Sequence, residues 1–70
     1  MAKNLEGPAK KKVQSLAAAL DADNGALIQR RWGALSRMLG QHLSTYQGEI
    51  RTLLTDGQAE RLARMTSFEL

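Results

Sequence analysis

His42 is the only histidine in the chain, so a histidine ligand or a histidine general base could only be this residue. A metal needs a second imidazole, a thiolate or a carboxylate within reach. The chain has no cysteine, and no aspartate or glutamate stands at 38, 39, 45 or 46, the helical neighbours of His42. Ser36, Ser44 and Thr45 surround it, but residues on one straight helix do not converge on a point, so no Ser–His–acid relay follows. Asp21-Ala22-Asp23-Asn24-Gly25 opens like a calcium loop. Its glycine arrives one position early, and Trp32 stands where a bidentate acid is needed. Neither GxxxxGKS/T nor GxGxxG occurs. The expectation is a chain with no catalytic residue, cofactor or metal, no small-molecule substrate, and no enzymatic activity.

Charge is the chemistry that remains. All four lysines (Lys3, Lys10, Lys11 and Lys12) lie in the first twelve residues, beside a single acid, Glu6. Beyond them, six arginines and six acids cancel, so the formal +3 belongs to one end of a neutral body. Such a cluster attracts phosphate or an acidic protein surface, and also keeps a small protein soluble.

Seventy residues allow one domain. Without cysteine there is no disulfide framework. No run of 18 apolar residues is present to span a membrane, and the first residues lack the apolar core of a secretory signal, so a cytoplasmic location is expected. Residues 1–7 read as a flexible basic segment and 8–70 as a single helical domain. Pro8 suits a first helical position, with Gly7 as its cap. Val13, Leu16, Ala17 and Leu20 then recur on one face, which predicts a helix over Pro8–Leu20. Asp21–Gly25 is a turn, with Asp21 or Asp23 available to cap the next helix.

Ile28, Trp32, Leu35, Leu39, Leu43, Tyr46, Ile50 and Leu54 follow in steps of three and four. This predicts one amphipathic helix of about 30 residues, about 45 Å long. A parallel stripe of small residues (Gly33, Ser36, Gly40, Ser44, Gly48) suggests close approach of another helix. The alternative is a rod that bends at Gly40 or Gly48. Thr55 and Gln58 have capping-box spacing and open a short third helix ending near Met65, after which Phe68 and Leu70 could dock.

The fold class expected is all-α, a helix–turn–long helix–short helix pairing into a dimeric bundle. A rod of that length outruns a 70-residue domain, and its apolar side would need a cover. The expected function is protein–protein binding, as an adaptor, assembly factor or inhibitor of a larger complex. The interface is assigned to Ile28, Trp32, Gly33, Leu35, Leu39, Gly40, Leu43, Tyr46 and Ile50, and the partner is a second copy or a larger protein.

The competing expectation is a nucleic-acid-binding regulator. Leu16, Ala17, Leu20 and Leu27 fit the pattern Leu-Ala-x-x-Leu-Gly followed by an apolar residue seven positions on. Over about 20 residues the chain therefore resembles the helix-turn-helix family. It departs from the family at Asp21, which replaces the turn glycine, at Gly25, and at Arg30, where an apolar residue is usual. The resemblance implies that Asn24 and Gln29 face base edges while Lys10, Lys11 and Lys12 meet phosphate. Without the motif, Arg30, Arg31 and Arg37 still offer a basic face for phosphates.

Overall fold

In the computed structural model, which describes residues 7–70, Pro8 opens the first helix, α1 (Pro8–Ala22), with Gly7 before it. The segment expected to be flexible, 1–7, lies outside the described residues except for Gly7. Asp23 closes α1 in the left-handed region, φ 56°. Its N–H donates to the Leu20 carbonyl (3.1 Å) and the Asn24 N–H donates to the Ala19 carbonyl (3.2 Å). These paired bonds satisfy carbonyls that a helix end leaves open. Because Asp23 ends α1, the cap of the next helix falls one residue later than the sequence suggested. Asn24 Oδ1 accepts from the Leu27 N–H at 3.2 Å.

The second helix, α2, spans Gly25–Leu39 and stops. Gly40 takes φ 53°, ψ −128°, a conformation that only glycine adopts without strain. A single 3₁₀ turn, Gly40–His42, leads into α3 (Leu43–Leu53). The rod expected over Ile28–Leu54 is therefore two helices. The apolar spacing missed the break because it stays in register across it, with Leu39 on one side and Leu43 on the other. The largest dimension of the molecule is 35 Å, shorter than the rod alone would have been.

Leu54 is extended, and Thr55 caps α4 (Asp56–Met65). The capping box is complete: the Gln58 N–H donates to Thr55 Oγ1 (3.2 Å), and the Thr55 N–H donates to Gln58 Oε1 (2.9 Å). Thr55→Ala is expected to lower stability by about 0.5–2 kcal/mol, read as a shift in the urea midpoint. An unchanged midpoint would mean that α4 is held by packing alone.

The described residues are all-helical, with no strand. The helix α1 packs against α2, α3 and α4. Val13, Leu16 and Leu20 from α1 meet Ile28, Trp32, Leu35 and Leu39 from α2, Ile50 from α3, and Ala59 and Leu62 from α4. Phe68 docks beyond α4 with its ring edge-on to Trp32, at 5.7 Å and 80°. Leu70 remains exposed.

Candidate functional site

The apolar stripe faces the chain's own core. Ile28, Leu35 and Ile50 have no exposed surface, Trp32 and Leu39 are buried, and Leu43 and Tyr46 lie half-buried against the same cluster. The bend at Gly40 allows this, since α3 turns onto α1 instead of prolonging α2. The premise that a second copy must cover the stripe is thereby removed. The small-residue stripe is not a seam between helices either. A methyl group added at Gly33, Gly40 or Gly48 would meet nothing within 4 Å. Of these three glycines, Gly40 has a conformational reason to be glycine. The sequence did carry a signal for it, because Arg37 in the last turn followed by glycine is a helix-stop pattern.

Ser36, Ser44, Thr45 and His42 do not assemble. Ser36 Oγ is buried without a hydrogen-bond partner, while His42, Ser44 and Thr45 are exposed. Among the described residues, no group of three or more His, Asp or Glu side chains is placed to hold a metal ion. A groove of about 300 Å³ is lined by Ser44, Gln47, Gly48, Arg51, Glu69 and Leu70. Its cation, Arg51, is already paired with Asp56 at 2.9 Å.

The charges are sorted by element. The arginines of α3 and α4 pair with acids: Arg51 with Asp56, Arg64 with Glu60 (3.7 Å) and Arg61 with Asp23 (3.9 Å). The helix α2 contains three arginines and no acid. The only acid of α1 is Asp21, near its last turn, where Gln58 Nε2 donates to its carboxylate at 2.8 Å. Lys10, Lys11, Lys12, Arg30, Arg31 and Arg37 have no acidic partner among the described residues.

The two basic helices form an antiparallel hairpin. Arg31 Nη1 donates to the Ser15 carbonyl at 2.7 Å, and Lys12, Ser15, Arg31 and Ala34 line one notch of about 50 Å³. Lys12 and Ala34 are each about 15 Å along their helices from the turn, yet they share this notch. A helix-turn-helix pair, crossed at about 90–120°, would hold them well apart. Nor are the residues that the family resemblance aims at bases free. The Asn24 side chain caps α2, and Gln29 Nε2 donates to the Met65 carbonyl.

Helical rotation of about 100° per residue places Lys11, Arg30 and Arg37 away from the core, and Lys12 and Arg31 along the seam between the helices. Lys10 leaves α1 about 160° round from Lys12, on the opposite flank. The structure thus gathers Lys11, Lys12, Arg30, Arg31 and Arg37 on one outer side of the hairpin and sets Lys10 apart. Among the described residues, no helix is long and apolar enough to cross a membrane. No protein-family model, curated protein or solved structure matches the chain.

Proposed function

We propose that this chain is a small non-enzymatic binding protein that offers the outer side of the α1–α2 hairpin to the phosphate backbone of nucleic acid. One observation carries the reading: the cations without an acidic partner among the described residues all lie on these two helices, while the acids near them are engaged by α4. Beside these cations stand small side chains, Ser15, Ala18 and Ala34. A protein interface needs an apolar centre with aromatic anchors, whereas a phosphate backbone needs spaced positive charge on a surface it can approach closely. The form favoured is double-stranded. Single strands are held by stacking on exposed rings, and here Trp32 and Phe68 are buried and Tyr46 is half-buried. Recognition is of the backbone rather than of sequence, because Asn24 and Gln29 are committed within the fold.

Binding another protein through an apolar face has less in its favour. The large apolar side chains exposed to solvent are Met38, Leu53 and Leu70, and they belong to three separate segments. Isolated exposed residues of this kind are ordinary on a soluble surface.

Titration of a labelled duplex, followed by anisotropy, tests the reading. Five phosphate contacts give a slope of about −4.5 in log K against log salt, a loss of two to three decades in affinity between about 50 and 200 mM. Arg30→Ala and Lys11→Ala should each make the slope shallower by about one. No binding at micromolar protein and low salt removes the proposal. Equal competition by polyglutamate would assign the surface to an acidic protein instead.

A further inference from the structure

The geometry points to the notch between α1 and α2, bounded by Lys12, Ser15, Arg31 and Ala34, as the seat of one phosphate group. This deepens the reading above and rests on it. Four features define the seat. Two cations from different helices border it, so it exists only because the hairpin brings them together. Arg31 is tethered: Nη1 donates to the Ser15 carbonyl at 2.7 Å, which restrains the guanidinium while using one of its five N–H donors. An oriented planar fork suits the oxygens of a phosphate and loses little freedom on binding. Ser15 lines the notch, and a serine hydroxyl can donate to a phosphate oxygen. Finally, the notch is small, about 50 Å³, the scale of an oxyanion head rather than of an extended ligand.

Size and charge can be separated here. Ala34 contributes only a methyl group to the wall, so Ala34→Leu fills the notch without altering charge, and leucine is a good helix former. Labelled duplex DNA is the probe, at fixed low salt. Ala34→Leu is expected to weaken binding about tenfold or more, the scale of a lost charge-assisted contact. Lys12→Ala added to it should cost less than Lys12→Ala alone, because both remove the same contact. Arg31→Lys provides an independent arm. It keeps the charge but loses the fork and its tether, and it should also weaken binding about tenfold, whereas Arg30→Lys should leave affinity within about twofold. Melting curves for Ala34→Leu and Arg31→Lys like that of the parent establish that the loss is local. Parent-like affinity in a folded Ala34→Leu protein, or in Arg31→Lys, overturns the seat. If Lys11→Ala and Arg30→Ala still weaken binding in that case, the basic face stands without it. A parent protein that binds no duplex at all overturns both.

Discussion

Leu35→Ala is expected to destabilise the fold by about 2–5 kcal/mol. Leu35 has no exposed surface and sits where α2 meets the rest of the core. A chain of this length has a total stability of about 3.5–10 kcal/mol, at 0.05–0.15 kcal/mol per residue, so one truncated leucine removes a large share. The mechanism also fixes a second observable. A core closed within one chain unfolds at a midpoint independent of protein concentration, whereas an interface between copies makes the midpoint rise with concentration. The parent should keep its midpoint over a tenfold dilution, with light scattering giving the mass of one chain, and Leu35→Ala should lower the midpoint at every concentration. A parent midpoint that falls on dilution would return Ile28, Trp32, Leu35 and Leu39 to an interface and end the single-chain account.

The helices were legible in the sequence because their signals are local. Pro8, the apolar spacing of Val13 to Leu20, a turn within Asp21–Gly25 and the Thr55/Gln58 box are each settled within a few residues, and the structure carries them, with α1 running on to Ala22 and α2 opening at Gly25 so that the turn shrinks to Asp23 and Asn24. The buried set was legible too, since Ile28, Trp32, Leu35, Leu39, Ile50 and Leu54 are core residues. What covers them was not. Periodicity reports which side of a helix is apolar and is silent on whether the cover comes from the same chain. That depended on a single backbone conformation at Gly40. The basic surface was half legible. Six candidate cations were identifiable from type alone; helical rotation sets Lys10 apart from the other five, but the hairpin register that puts Lys12 beside Arg31 is tertiary. So is the engagement of Asp21 and Asp23 by Gln58 and Arg61, which joins residues about forty positions apart.

Gly40→Ala tests that conformation directly. At φ 53°, ψ −128° an L-residue is strained by about 1–3 kcal/mol, and steric contact adds nothing, because a methyl group there meets no atom within 4 Å. The chain has two ways to respond. It can keep the bend and carry the strain, or it can straighten α2 into α3 and lose the packing of α3 on α1. Straightening uncovers Ile50 and Leu54, each worth about 1.5–3 kcal/mol when fully buried. Together they outweigh the strain, so the bend should persist. Gly40→Ala should therefore lower stability by about 1–3 kcal/mol, with the parent's helix content and the mass of one chain. A doubled mass with increased helix content would mean instead that the rod is the preferred state once glycine is gone. A chemically synthesised Gly40→D-Ala chain separates strain from every other cause. For a D-residue this conformation mirrors the extended region open to ordinary L-residues, so the strain vanishes while the unfolded chain loses freedom. D-alanine should then raise stability by about 0.4–1 kcal/mol where L-alanine lowers it. Opposite signs from the same methyl group can come only from the handedness of the bend. If both lower stability alike, Gly40 is needed for some reason other than its backbone angles.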